Sequence, residues 1–133
     1  MRSPGLLFSC VALIPMVPGA AVAGDASVVA ATAVPEGEGG YRLEVTLRHA
    51  DEGWDHYADR WEVLAPDGRV LATRTLLHPH VQEQPFTRGL SHVRIPPGIH
   101  RVTIRAHDSV HGDSPRTLEL QLPDGPAAGG SPR

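Results

Sequence analysis

The sequence lacks several residue types whose absence narrows its chemistry. Its 133 residues include one cysteine, Cys10, and neither lysine nor asparagine. Because Cys10 lies in the N-terminal stretch, a chain processed beyond it has no disulfide, and packing alone must stabilise its fold. Thiol chemistry is excluded for the same reason. The absence of asparagine excludes N-glycosylation.

The N-terminal residues predict a secretory signal. Arg2 provides a positive start, residues 6–17 form a short apolar core, and Ala21-Val22-Ala23 fits the rule for a cleavage site. Cleavage after residue 23 predicts a secreted or periplasmic protein. The apolar run is too short to span a bilayer, and no later stretch is apolar enough. Leu7-Phe8-Ser9-Cys10 resembles a lipoprotein site, but lipidation there requires a different start position.

Charge and composition restrict the partners and the number of domains that the remaining chain can have. Without Arg2 it carries 11 basic and 15 acidic residues, a formal charge of −4, and the two signs are interspersed. This pattern does not suit a nucleic-acid partner. Residues 24–123 have the length of one domain with a single two-layer core. Residues 124–133 are rich in glycine, alanine and proline, which predicts a disordered tail.

Alternation of apolar and polar residues predicts strands. Tyr41, Leu43, Val45 and Leu47 alternate with polar residues, and His49 continues their buried register. Similar runs recur between turn signals such as residues 66–68, and there is no credible helix. About seven short strands predict an all-β protein, an antiparallel immunoglobulin-like β-sandwich.

Two features carry a family resemblance. Residues 95–106 resemble the entry to the sixth strand in fibronectin type III and related immunoglobulin-like domains, and Trp61 is similar to their core tryptophan. His100 stands where that family has tyrosine. Residues 54–57 and 77–80 also resemble a bacterial secreted family. These resemblances imply a sandwich architecture and no particular activity.

The predicted topology brings histidines together. In an immunoglobulin-like sandwich, three of the strand connections lie at one end. Here these connections hold six of the eight histidines, together with several carboxylates. We call this end the histidine pole; its histidines are His49, His56, His78, His80, His107 and His111.

Imidazoles beside carboxylates are the ligands that zinc and copper take in proteins. Histidines at strand ends are held more rigidly than those at loop tips. The sequence therefore predicts a zinc or copper site and no other cofactor. Its predicted ligands are His49, His78, His80 and His107, with His56, His111 and Asp108 in reserve.

Other interpretations of the pole stay open. The histidines can cap loop backbone as surface residues, or line a pocket for another ligand. Alternatively, Trp54, Tyr57 and Phe86 form the contact surface of an adhesion or assembly module for a protein or glycan. We predict no enzyme and no catalytic residue, because Ser109 lies in no nucleophile motif.

Overall fold

The computed structural model describes residue 5 and residues 24–123, so the expected leader cleavage and the expected tail at 124–133 lie outside the described residues. A three-residue 3-10 turn spans Gly37–Gly39. The strands are β1 (Ser27–Pro35), β2 (Gly40–Arg48), β3 (Ala58–Leu64), β4 (Val70–Thr75), β5 (Phe86–Arg94), β6 (Arg101–Asp108), β7 (Gly112–Asp113) and β8 (Leu118–Gln121).

The strands form two antiparallel sheets. One sheet has the order β1-β2-β5, and the other has β4-β3-β6 with β7 beside β6. The strand β8 also pairs with β6, through residues 101–104, whereas β7 pairs with residues 107–108 of the same strand. The prediction of an antiparallel β-sandwich is confirmed. Residues 24–123 form eight strands instead of about seven because two short strands share one edge of β6.

The core lies between the sheets and follows the alternation of the strands. Leu43, Val45 and Leu47 of β2 are at most 1% exposed, and they face Trp61 of β3, which is fully buried. Burial of such side chains contributes about 1.5–3 kcal/mol each to the free energy of unfolding. Their burial fixes the register of β2, because a slip by one residue would turn all of them outward.

The same alternation positions the residues beyond the strand ends. His49, two residues after Leu47, is 3% exposed. In β6 the buried positions are Val102, Ile104, Ala106 and finally Asp108, which is fully buried. One end of the sandwich is therefore closed by polar side chains that stand in core positions.

Between residues 24 and 123, no helix has the length and apolar character needed to cross a membrane.

Leu43→Ala should lower the free energy of unfolding by about 2–5 kcal/mol, because it leaves a cavity between the sheets. Val34→Ala is the matched control: Val34 is 57% exposed, and its truncation should change stability by about 0.5 kcal/mol or less. Urea denaturation followed by tryptophan fluorescence measures both. Equal losses in the two variants would contradict the assigned faces of the sheet.

Candidate metal centre

Three loops meet at the histidine pole. They connect β2 to β3 (residues 49–57), β4 to β5 (residues 76–85) and β6 to β7 (residues 109–111). The first and third are joined by two hydrogen bonds, from the Ser109 N–H to the Tyr57 carbonyl at 3.0 Å and from the Tyr57 N–H to Ser109 Oγ at 3.1 Å. These bonds fix the position of the first loop relative to the third.

Asp51 joins the first and second loops. Its carboxylate is buried and accepts N–H groups from the backbone of Ala58 at 3.0 Å and of His80 at 2.6 Å. It also contacts Nδ1 of His49 at 2.5 Å. Three donors on one carboxylate satisfy the polar groups that the buried loops would otherwise leave without partners.

The protonation of this pair follows from its surroundings. Burial raises the pKa of Asp51, but the hydrogen bonds from His49, His80 and Ala58 outweigh burial and place that pKa below its ordinary value. Burial lowers the pKa of His49, but the hydrogen bond to Asp51 and the charges of Asp51 and Asp108 outweigh it, so the net shift is upward. Asp51 is therefore a carboxylate at neutral pH and holds a proton on His49 Nδ1.

A second buried carboxylate, Asp108, lies at the end of β6. Its Oδ1 accepts the backbone N–H groups of Val110 at 2.8 Å and His111 at 2.6 Å. Its Oδ2 lies 3.2 Å from Nδ1 of His111. Burial raises the pKa of Asp108, but these hydrogen bonds lower it further than burial raises it. The side chain is an anion with one oxygen, Oδ2, left largely free of backbone donors.

Two imidazole nitrogens face this carboxylate. Nε2 of His49 is 3.8 Å from Asp108 Oδ2, and Nε2 of His56 is 3.2 Å from Asp108 Oδ1. Both nitrogens are buried and have no hydrogen-bond partner within the described part of the chain. Asp51 holds Nδ1 of His49, and Glu52 Oε1 lies 3.4 Å from Nδ1 of His56. In its neutral form each ring can therefore keep the proton on Nδ1 and direct the Nε2 lone pair into the cluster.

The spacing of these atoms suits a small cation. His49, His56 and Asp108 each offer a ligand atom within 4.8 Å of the others. Ligands of a tetrahedral zinc ion stand about 3.3–3.6 Å apart, given metal–ligand distances of about 2.0–2.2 Å. A second group of three overlaps the first and consists of Asp25, Asp108 and His111. We call the first group the inner group and the second the outer group.

The structure brings together only part of the predicted ligand set. His49 is in the inner group, as are the reserve residues His56 and Asp108, and the reserve residue His111 is in the outer group. Among residues 24–123, neither group includes His78, His80 or His107. Metal binding by the four predicted ligands stays a prediction, and the geometry favours His49 with the reserve residues.

The other predicted ligands have different partners. His80 packs flat on Phe86 at 3.9 Å between ring centroids, and its Nε2 lies 2.9 Å from Nη2 of Arg88. Burial and the charges of Arg88 and His78 lower the pKa of His80, so its ring is neutral. His78 is exposed and contacts the Pro79 carbonyl.

His107 faces away from the inner group. In β6 it is one position out of register with the buried residues Ala106 and Asp108. Its Nδ1 contacts Oδ1 of Asp59 on the neighbouring strand at 2.5 Å. The Asp59–His107 pair is thus separate from the buried cluster.

The three predicted contact aromatics do not share one surface. Trp54 is 67% exposed and packs edge-on against Tyr57, with ring centroids 5.6 Å apart. Phe86, by contrast, is 2% exposed and belongs to the core. A contact role for Trp54 and Tyr57 stays a prediction, whereas Phe86 packs beneath the second loop.

Sequence reasoning overlooked two carboxylates of the cluster. Neither Asp51, which orients His49, nor Asp25, in the outer group, is among the ligands predicted from the sequence. The available signal was the local pairing of acids and histidines, since His49 and Asp51 are two residues apart and Asp108 and His111 three. Asp25 gave no such signal.

Together, fold and pole define a small all-β sandwich closed at one end by a buried histidine–aspartate cluster. The chain is similar to a protein of Halomicrobium mukohataei that bears the name "Putative lipoprotein", with 37% identity over 101 residues. The similar region covers 76% of this chain and 49% of the archaeal protein, so the chain spans about half of that relative's length. No family model and no solved structure matches the chain.

Asp51→Asn should destabilise the metal-free protein by about 3 kcal/mol at pH 7, because an amide cannot accept all three donors. The pKa of Asp51 is lowered by folding, so its contribution is present above its unfolded pKa of about 3.9 and is lost as pH falls through the folded pKa. The difference from wild type should therefore shrink in acid. Urea titrations between pH 7 and pH 3 measure it.

Asp55→Asn is the matched control, because Asp55 is exposed on the same loop. It should behave as wild type at every pH. A constant difference between Asp51→Asn and wild type down to pH 3 would contradict the role of the Asp51 charge.

Proposed function

We propose that the protein is a secreted or envelope binding module that holds a divalent transition-metal ion at the histidine pole. The ligands are Nε2 of His49, Nε2 of His56 and Oδ2 of Asp108. One observation carries the proposal: two buried imidazole nitrogens without hydrogen-bond partners in the described chain face a fully buried carboxylate. Buried polar atoms normally have partners, and a metal ion supplies the partner that both nitrogens lack.

Charge supports the same conclusion. Asp51 and Asp108 are both buried carboxylates with lowered pKa values, and burial of uncompensated charge is costly. One divalent cation beside neutral imidazoles balances the two negative charges. The protonated His49 ring balances only one of them.

The ligand types favour zinc or copper. Two imidazoles and one carboxylate match the nitrogen and oxygen donors of these metals, whereas calcium and magnesium take oxygen ligands. Asp51 on His49 and Glu52 on His56 supply the outer carboxylates that orient metal-binding imidazoles. The absence of cysteine from residues 24–123 disfavours a thiolate-rich site.

The expected leader supports an extracytoplasmic location, and the name of the archaeal relative agrees with an envelope protein. We propose binding rather than catalysis. Ser109, the nucleophile candidate beside the cluster, accepts the Tyr57 N–H through Oγ and serves to join two loops.

The strand order supports a fibronectin type III-like subclass. In the constant-type immunoglobulin arrangement the fourth strand lies in the sheet of the first two. Here β4 pairs with β3 in the other sheet. We therefore infer that the chain does not follow the constant-type arrangement, in agreement with the fibronectin type III-like resemblance of residues 95–106.

Calorimetric titration of the purified protein with zinc and with copper tests the proposed site. Wild type should bind one ion. His49→Gln/His56→Gln should weaken binding by more than about 100-fold, because loss of a single outer partner already costs about 10–100-fold. Glutamine retains a polar side chain of similar length, and circular dichroism checks that the variant is folded.

His78→Gln/His107→Gln is the matched control, since it also removes two imidazoles from the same pole. It should retain the wild-type affinity within a few-fold. The opposite ranking of the two variants would support the ligands predicted from the sequence, and no stoichiometric binding by wild type would leave the cluster as a network of ion pairs.

A further inference from the structure

The proposed metal site has a buried side and an exposed side. His49, His56 and Asp108 are each at most 8% exposed. The His111 side chain, by contrast, is 39% exposed while its Nδ1 lies 3.2 Å from Asp108 Oδ2. His111 therefore covers the cluster from the solvent side.

The position of His111 is suited to a fourth ligand. Its Nδ1 lies 3.2 Å from Asp108 Oδ2, the oxygen that accepts no backbone N–H. This distance is close to the separation of two ligand atoms on a tetrahedral zinc ion. Its ring lies 4.9 Å from that of His56, between centroids. The nitrogen thus stands on the open side of the inner group.

The backbone of His111 is held by shorter hydrogen bonds than its ring is. The N–H groups of Val110 and His111 both bind Asp108 Oδ1, which holds the turn in place. The polar contact of the ring with Asp108, at 3.2 Å, is longer than the 2.7–2.9 Å or so of a strong charged hydrogen bond. A rotation of the side chain can therefore uncover Asp108 Oδ2 without any movement of the loop.

We propose, as an extension of the proposed function, that His111 is a displaceable fourth ligand and that the site accepts an external nitrogen donor in its place. Three buried ligands then hold the metal, and the fourth position exchanges at the surface. Closed four-ligand sites are typical of structural zinc, whereas three protein ligands with an open position are typical of zinc that meets an external molecule. The site so described passes or presents its metal by ligand exchange.

Cobalt(II) is the probe, because its visible absorption reports the coordination number and ligand set. Wild type should bind one equivalent with the intense spectrum of four-coordination. His111→Ala should still bind one equivalent, with a weaker and altered spectrum, an affinity lower by about 10–100-fold and extraction by EDTA at least about 10-fold faster. Millimolar imidazole should restore the spectrum of this variant towards that of wild type.

His78→Ala is the matched control, since it removes another exposed histidine of the same pole, and it should behave as wild type. Asp25→Ala tests the remaining member of the outer group and should not give a spectrum that imidazole restores. Three results would overturn the inference alone: an unchanged His111→Ala spectrum, complete loss of binding in that variant, or rescue by imidazole in Asp25→Ala instead. Absence of cobalt binding by wild type would overturn the proposed function as well.

Discussion

The closed end of the sandwich depends on two carboxylates buried under its loops. Asp51 accepts donors from two loops and from the first residue of β3, and Asp108 accepts two backbone N–H groups of a third loop. Among residues 24–123, neither charge is matched by a nearby arginine, and the closest ionisable partners are imidazoles. Because an unmatched buried charge is expensive, the loops around these carboxylates have one favourable arrangement, and that arrangement directs the histidines inward.

This arrangement gives individual histidines of the pole defined orientations, which a high histidine content alone would not do. In His49 and in His56 one ring nitrogen lies near a carboxylate, and the other nitrogen is directed into the cluster. In the exposed His78, by contrast, Nδ1 contacts a backbone carbonyl instead of a carboxylate. A carboxylate on one ring nitrogen orients an imidazole as it does in metal ligands, and this orientation arises here from residues of the first loop, which face the end of β6.

Strand alternation predicted more of this site than residue type did. The alternation of β2 placed His49 in a core position, and the structure has it buried. The same alternation in β6 leads from Ala106 to Asp108 and leaves His107 on the opposite face, yet the choice of imidazoles at strand ends put His107 among the four predicted ligands and Asp108 in reserve. The fold class followed from alternation and turn signals, since these are local. The approach of Asp25 and the path of residues 76–85 depend on how distant segments pack, which local patterns do not encode.

The two sheets are joined at the pole by residues that belong to different sheets. His49 follows β2 of the three-stranded sheet, and Asp108 ends β6 of the five-stranded sheet, 59 positions later. In antibody domains a disulfide links the equivalent second and sixth strands across the core. A covalent cross-link that closes a loop of this length contributes about 4 kcal/mol. In a chain without cysteine beyond residue 10, the charged contact of His49 with Asp108, 3.8 Å apart, links the two sheets without a covalent bond, and acid that protonates Asp108 would weaken it where a cystine would require a reductant.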